Sequence, residues 1–531
     1  MGICGKSPET TVLQDLLVFQ IKGISQYAHR ARQLGEVDAE VNYQTLKCLF
    51  VTLTNVNFDD NEHYRLIKLL GKTTLRARHL YEEACQKQSL RPVQLQGAAA
   101  WQPPDNNAEI AEYAMTISLL KKLQGGDKDI IGLQELLTYG IKGLAAYAHH
   151  AEVLGYRDGA ICAFVHEAMD YLTEPEQRAE DLLAYCLKAG QVNLRVMELL
   201  DQAHTETFGH PQPTAARTTY VPGKCILVSG HDMKALHELL KQTEGTGINV
   251  YTHGELLPAL GYPKLKEYKH LVGNFGTAWQ NQVKEFDMFP GAIVMTTNCL
   301  KPPSGEYRDR LFTIDAVGFD GIAKVQEYDY SQAIKIALDS PGFTSEQEPH
   351  YINVGFGHDA VLGVADKVIE GVKSGAIRHF FLVGGCDGAE FARNYYTDLA
   401  EKMPTDCLIL TLGCAKYRFN MQEFGQIGDL PRLLDLGQCN DSYSAIKIAG
   451  ALASAFDCTV NDLPLSIVLS WLEQKAVAVL LTLLHLGIKD IRLGPSLPAF
   501  VTPTVLAQLT EAYGLRPIDT PERDLAVILG K

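Results

Sequence analysis

No two of the twelve cysteines in this 531-residue chain stand in a CxxC pair. That absence argues against a zinc ribbon, a thioredoxin-like motif or a simple ferredoxin, each of which gathers its thiols locally. A metal held by these cysteines must draw its ligands from far apart in sequence. Long apolar runs are missing too. The most apolar, 476–486 (AVAVLLTLLHL), falls short of the ~20 residues that a membrane-spanning helix needs and reads as a buried core helix. The first residues, Met1-Gly2-Ile3-Cys4-Gly5-Lys6, lack the basic and apolar stretches of a secretory signal, and Lys6 stands where a myristoylation site wants Ser or Thr. Positive charge is in deficit: 48 Lys and Arg against 63 Asp and Glu leave a net charge of −15. Such a field repels phosphate backbones and anionic membrane surfaces, so neither nucleic acid nor a membrane is expected as a partner. These observations place the chain in the cytoplasm, where thiols stay reduced and the cysteines are not disulfide staples.

What is present is ordinary globular composition, 46% hydrophobic and 21% charged, at a length that predicts three or four domains. Residues 13–35 (LQDLLVFQIKGISQYAHRARQLG) recur as 133–155 (LQELLTYGIKGLAAYAHHAEVLG), with 13 of 23 positions identical at an offset of 120. Apolar residues in both copies fall at three- and four-residue spacing, as an amphipathic helix requires. A second echo pairs Leu75-Arg76 with Leu194-Arg195. The expectation is a helical domain over 1–215 made of two repeated three-helix bundles, 1–105 and 106–215, linked through 101–107 (WQPPDNN). The repeated Tyr27-Ala28-His29 and Tyr147-Ala148-His149 read as helix-packing residues. After 210–213 (HPQP), β-rich runs alternate with helical stretches at 225–229, 248–252, 292–297, 351–354, 379–383 and 407–412. That alternation indicates two α/β, Rossmann-like domains with mainly parallel sheets, 216–355 and 356–531.

The chemistry stands directly after these strands. Run 225–229 leads to His231, 248–252 to Glu255, 292–297 to Cys299, 379–383 to Cys386 and 407–412 to Cys414. Residues 433–436 (LLDL) lead to Cys439, and 465–472 ends at Glu473 with Lys475 two residues on. Ligand sites of α/β folds lie at strand carboxyl ends. Seven such ends here deliver thiolate, imidazole or carboxylate. Four thiolates favour iron–sulfur chemistry over magnesium or calcium, and one His with two Glu adds harder, oxygen-bound iron sites. Such a mixed site could leave an open position for substrate.

Segments GKCILVSGHD (223–232), GINVYTHGE (247–255), MTTNC (295–299), GGCDG (384–388), LGCAKYRFN (412–420), GQCNDSYSA (437–445) and LSWLEQKA (469–476) resemble the hybrid-cluster proteins, also called hydroxylamine reductases. The likeness runs from Cys4 to the C-terminus and includes TNVNFD (54–59). It implies that His231, Glu255, Cys299, Cys386, Cys414, Cys439 and Glu473 bind a hybrid iron–sulfur–oxygen cluster of the 4Fe-2O-2S type. It implies a persulfide on Cys386, and it places Lys475 facing the cluster, where a cation could donate a proton or stabilise reduced substrate; a plain ion pair with Glu473 stands beside that role. Cys48, Cys85, Cys162, Cys186, Cys225, Cys407 and Cys458 match no ligand motif and read as structural. Family members begin with four cysteines for a second cluster, 4Fe-4S or 2Fe-2S. Only Cys4, their last, is here, and one thiolate cannot hold such a cluster. Either the sequence is truncated or the natural protein lacks the relay; the expectation is an intact fold with impaired electron delivery.

The resemblance implies reduction of hydroxylamine to ammonia, of nitric oxide to nitrous oxide, or both, fed by an electron-donor reductase. The alternative is a signalling protein that transfers nitrosyl groups to partner proteins. Carbon monoxide chemistry, suggested by a similar domain plan, is disfavoured by Glu255 and Glu473. Two further motifs are discounted. Leu70-Gly71-Lys72-Thr73 mimics a phosphate loop without its first glycine, and Gly355-Phe356-Gly357 reads as a tight strand-to-helix turn.

Overall fold

The computed structural model describes residues 5–388, 393–498 and 501–530; Cys4 lies outside them. Helix starts in the first part are set by capping side chains. Ser7 accepts a hydrogen bond from the Thr10 N–H and opens Pro8–Gln33 (α1), with Pro8 in the first turn where its missing N–H costs nothing. Asp38 opens Ala39–Val51 (α2) and Asp59 opens Asp60–Lys87 (α3). After Asn107–Ile117 (α4) and the single turn Leu119–Lys122 (α5), the scheme repeats: Asp127 before Lys128–Val153 (α6), Asp158 before Gly159–Tyr171 (α7), then Ala179–Phe208 (α8). The two sequence repeats therefore lie on α1 and α6. The copies interlock, because α1 packs on α3 and on α7 while α6 packs on α8 and on α2. Residues 70–73 lie inside α3 and are plain helix.

Past α8 the chain makes Thr214–Arg217 (β1) and then a six-stranded parallel sheet. Its strands are Lys224–Ser229 (β2), Ile248–His253 (β3), Leu271–Asn274 (β4), Ala292–Met295 (β5), Leu311–Ile314 (β6) and Ala323–Val325 (β7), in the order β4-β3-β2-β5-β6-β7. Tyr351–Val354 (β8) comes next. A second parallel sheet comprises His379–Gly385 (β9) and Cys407–Thr411 (β10), then, after a small antiparallel hairpin of Gln426–Ile427 (β11) and Leu430–Pro431 (β12), Leu433–Asp435 (β13), Leu465–Ser470 (β14), Arg492–Gly494 (β15) and Arg516–Pro517 (β16), ordered β13-β10-β9-β14-β15-β16. Both sheets share one winding: the chain starts in the middle, runs outward, returns and runs outward the other way. Each has its topological switch between its first and fourth strands, β2 and β5 in one sheet, β9 and β14 in the other.

One strand departs from expectation. Residues 351–354 do not join a parallel sheet; β8 pairs antiparallel with β1 in a separate two-stranded ribbon. The reason lies in its faces. Its residues alternate exposed and buried, whereas β5 is buried throughout. Alternation suits an antiparallel strand with one wet face, and continuous burial suits a parallel strand covered on both sides.

The apolar run 476–486 forms the buried helix Gln474–His485. It is gripped by α6 and α8 through glycines. A Cβ on Gly143 would meet the Gln474 carbonyl oxygen at 2.4 Å, and one on Gly190 would meet the Leu481 carbonyl oxygen at 2.1 Å. Among the described residues no helix is long and apolar enough to cross a membrane.

Candidate metal centre

In a doubly wound sheet, ligands bind beyond the strand carboxyl ends at the switch point. Here two switch points meet. His231, Glu255 and Cys299 come after β2, β3 and β5, while Cys386, Cys414, Cys439 and Glu473 come after β9, β10, β13 and β14. All seven line one cavity. Ligand atoms of His231, Glu255 and Cys439 lie within 4.8 Å of one another, and His231 Nε2 is 3.7 Å from Glu255 Oε2. The two halves are also tied by the backbone: the Cys439 N–H donates to Glu255 Oε2 at 2.9 Å.

The donor set fits an iron–sulfur cluster that also takes nitrogen and oxygen ligands. Four thiols, an imidazole and two carboxyls converge in a buried space, and no disulfide joins the thiols. Glu255 Oε1 and Glu473 Oε2 are buried without a hydrogen-bond partner among the described residues. Buried acceptors left unpaired are costly, and a metal ion satisfies both. Burial holds the Glu255 and Glu473 carboxyls above the usual range and pushes the Cys439 thiol up to about 12. Contact with Cys299, then burial, raises Cys414; burial, then the Glu473 charge, raises Cys386. Such groups ionise together only when positive charge arrives.

Lys475 is the cation of this space. Burial opposes its charge, but Cys439, Glu473, Cys299 and Glu255 outweigh burial and hold it above its ordinary range. Its Nζ donates to His231 Nε2 at 2.9 Å and to Asn298 Oδ1 at 3.0 Å, and lies 3.9 Å from Glu473 Oε1. The imidazole is kept neutral by burial, then by Lys475 and His150. Because Nε2 accepts from Lys475, the ring proton sits on Nδ1, 3.1 Å from Thr297 Oγ1.

Several residues around the site were given no role in the sequence. Gln438 Nε2 donates to the carbonyls of His231 (3.0 Å) and Glu255 (2.7 Å), fastening both sheets. Gln282 Nε2 donates to the Cys299 carbonyl at 3.0 Å, and Cys299 itself adopts φ 80°. The TNVNFD segment braces the same corner: the Leu300 N–H donates to the Asn55 carbonyl at 2.9 Å, and the Thr54 N–H to Gln474 Oε1 at 3.0 Å. Asp387, next to Cys386, is pinned by Arg393 at 3.2 Å and Arg418 at 2.6 Å. Tyr147 is a different case, read from sequence as packing. Its hydroxyl is buried against Cys439, and the Lys475 ammonium lies 5.6 Å from its ring centroid. The signal was the face: Gly143, Tyr147 and His150 stand at i, i+4, i+7, and Gly143 is the close contact to Gln474. The His150 ring runs nearly parallel to that of His231, with centroids 6.3 Å apart.

The Prismane/CO dehydrogenase family profile matches residues 1–526. The chain belongs to that family. It is 52% identical to the hydroxylamine reductase of Acidiphilium cryptum over 525 residues, covering 99% of this chain and 94% of the relative. The Geobacter metallireducens hydroxylamine reductase is 51% identical, with 100% and 96% covered. Among solved structures, carbon monoxide dehydrogenase IV of Carboxydothermus hydrogenoformans superposes with a TM-score of 0.58 at 16% identity, covering 100% of this chain and 88% of that one. The Thermococcus sp. AM4 carbon monoxide dehydrogenase gives 0.57 at 17%, covering 100% and 87%. At such identities these two share the fold. Family membership makes the chain an iron–sulfur oxidoreductase.

Proposed function

We propose that this chain is a hybrid-cluster reductase that converts hydroxylamine to ammonia. The observation that carries the reading is the convergence of four thiols, one imidazole and two carboxyls on one cavity, with the buried Lys475 ammonium donating to that imidazole. Its relatives at about half identity are named for that activity. His231, Glu255, Cys299, Cys386, Cys414, Cys439 and Glu473 would hold the cluster, which when bound supplies electrons and an iron site for the N–O species. The reaction consumes two electrons and two protons per hydroxylamine, breaks the N–O bond and releases ammonia and water. The electrons come from a separate donor reductase.

The residues of the chain supply the rest. Lys475 Nζ, held charged and aimed by His231 and Asn298, stands ready to give a proton to the departing oxygen. Glu473 tunes that ammonium from 3.9 Å. Cys386 presents the thiol that would carry an extra sulfur. Walls formed by Leu412, Leu469, Trp471 and Leu480 restrict water around the reacting atoms. Reduction of nitric oxide to nitrous oxide is the companion reaction open to the same donors. Nitrosyl transfer to a partner protein is disfavoured, because Cys386 is only 9% exposed and a protein acceptor would have to reach it.

The test is anaerobic turnover of hydroxylamine with a chemical reductant, paired with iron and acid-labile sulfide counts. Ammonia release from protein carrying about four irons and fewer sulfides supports the reading. Iron-loaded protein that leaves hydroxylamine unchanged overturns it.

A further inference from the structure

The repeat does more than pack. In α1, Asp15 and Lys22 are seven residues apart and share one helix face; Glu135 and Lys142 occupy the same two positions in α6, at the repeat offset of 120. All four residues line one cavity of ≈ 60 Å³ between the two helices. The short helix α5 adds a third lysine, Lys122, and the Leu119 N–H donates to Asp15 Oδ2 at 2.9 Å. The repeat thus builds a pocket of two-fold character with lysine and carboxylate in each half. It stands apart from the metal centre and shares no lining residue with it.

Its charges are unusual for a buried place. Lys22 is 9% exposed and Lys142 is 8% exposed. Among the described residues neither ammonium has an ion pair or a hydrogen-bond acceptor. Lys122 instead lies within hydrogen-bonding reach of Lys22, cation against cation. Buried ammonium groups are ordinarily paired, because stripping their water without a partner is strongly unfavourable. Burial, then Lys122, pushes Lys22 down to about 7, and burial lowers Lys142 as well. Three lysines face two carboxyls, Asp15 and Glu135, an excess of one positive charge when all five groups are ionised. The volume holds a handful of water-sized atoms, the size of a small inorganic ion.

We propose that this cavity is a binding site for a small, singly charged oxyanion, held by Lys22, Lys122 and Lys142. The donors are ammonium groups rather than guanidinium forks, so recognition rests on charge and size more than on ligand shape. The inference does not depend on the reductase reading, because no cluster ligand contributes.

Nitrate is the probe, added at constant ionic strength to the iron-loaded protein and monitored by titration calorimetry and melting temperature. One saturable site per chain is expected, with the melting temperature rising as it fills. Lys22→Met keeps the buried stem and removes the charge; Lys122→Gln alters an exposed residue and spares the fold. Each is expected to weaken nitrate at least ten-fold and to abolish the rise in melting temperature. Because nitrate could also meet iron, the lysine variants decide the location. Equal affinity in native protein and both variants, or no saturable binding in native protein, overturns the proposal. Tighter binding of sulfate than of nitrate overturns the single-charge assignment.

Discussion

Lys475 Nζ donates to His231 Nε2 across 2.9 Å, joining two residues 244 positions apart and belonging to different sheets. The contact puts the strongest cation of the site on the same nitrogen that would bind iron. With iron on that nitrogen, Lys475 would lose this acceptor and be left with Asn298 and Glu473 as neighbours. Lys475→Met is therefore expected to keep iron content near native while lowering hydroxylamine turnover by about 10²-fold or more. Turnover measured per bound iron checks this. Unchanged turnover would leave Lys475 a structural ion-pair partner.

Removing the metal should expose what the donor set costs alone. Without positive charge, burial raises the pKa of the Glu255 and Glu473 carboxyls, and one oxygen of each is left unpaired among the described residues. A cluster that binds only the folded chain adds to its stability by mass action. The apo protein is expected to melt at a lower temperature than the loaded one, with unchanged far-ultraviolet circular dichroism at room temperature. An apo protein that melts at the same temperature would contradict a preassembled site.

Much of this centre was legible because buried parallel strands read as short apolar runs, and the donors stand just beyond the carboxyl ends of those runs. All seven donors lie within four residues after the end of a strand, from Cys386 immediately after β9 to Cys299 and Cys439 after β5 and β13. Edge strands such as β4 and β16 were not legible, being short and only partly covered. Nor was the pairing of β8, whose antiparallel partner β1 lies far upstream, before the whole first sheet. Tyr147 was missed for a different reason: an apolar helix face looks the same whether it covers another helix or a metal site. Only the close contact of Gly143 with Gln474 brings that face to Lys475.

Tyr147→Phe tests that face. The hydroxyl is buried against Cys439, and burial, then the Cys439 charge, raises its pKa well above the ordinary value. Among the described residues the hydroxyl has no hydrogen-bond partner, so it is a neutral donor free to face a Cys439 thiolate once metal is bound. A bond of that kind to a charged, buried acceptor is worth about 1–3 kcal/mol. The expected result is a folded, iron-bearing protein with an altered electron paramagnetic resonance spectrum and reduced turnover. An identical spectrum would confine Tyr147 to packing.

The glycine contacts predict stability effects with a clear sign. A methyl group on Gly190 would sit 2.1 Å from the Leu481 carbonyl oxygen, so α8 and the helix Gln474–His485 must separate to admit it. Overpacking of this kind costs about 1–3 kcal/mol. Gly190→Ala is expected to lower the melting temperature measurably while leaving the iron ligands untouched. Gly143→Ala, against the Gln474 carbonyl, should lower both stability and turnover, because Gln474 stands between Glu473 and Lys475.

The last prediction concerns pH. Lys22 is pushed down to about 7 by burial first and then by Lys122, with Lys142 adding to the effect and Glu135 opposing it; Asp15 shares the cavity. In the unfolded chain the same lysine keeps its ordinary value near 10.4. Below pH 7 both states carry the proton, and the folded state bears the full cost of a buried charge. Between about pH 7 and 10 the folded protein sheds the proton while the unfolded chain keeps it. Stability contributed by this residue must therefore rise with pH across that window. Lys22→Met carries no proton in either state, so in anion-free buffer its advantage in melting temperature over the native protein should be largest at pH 6.5 and shrink by pH 9. A constant difference across that range would show that Lys22 is not held in a desolvated, uncompensated place.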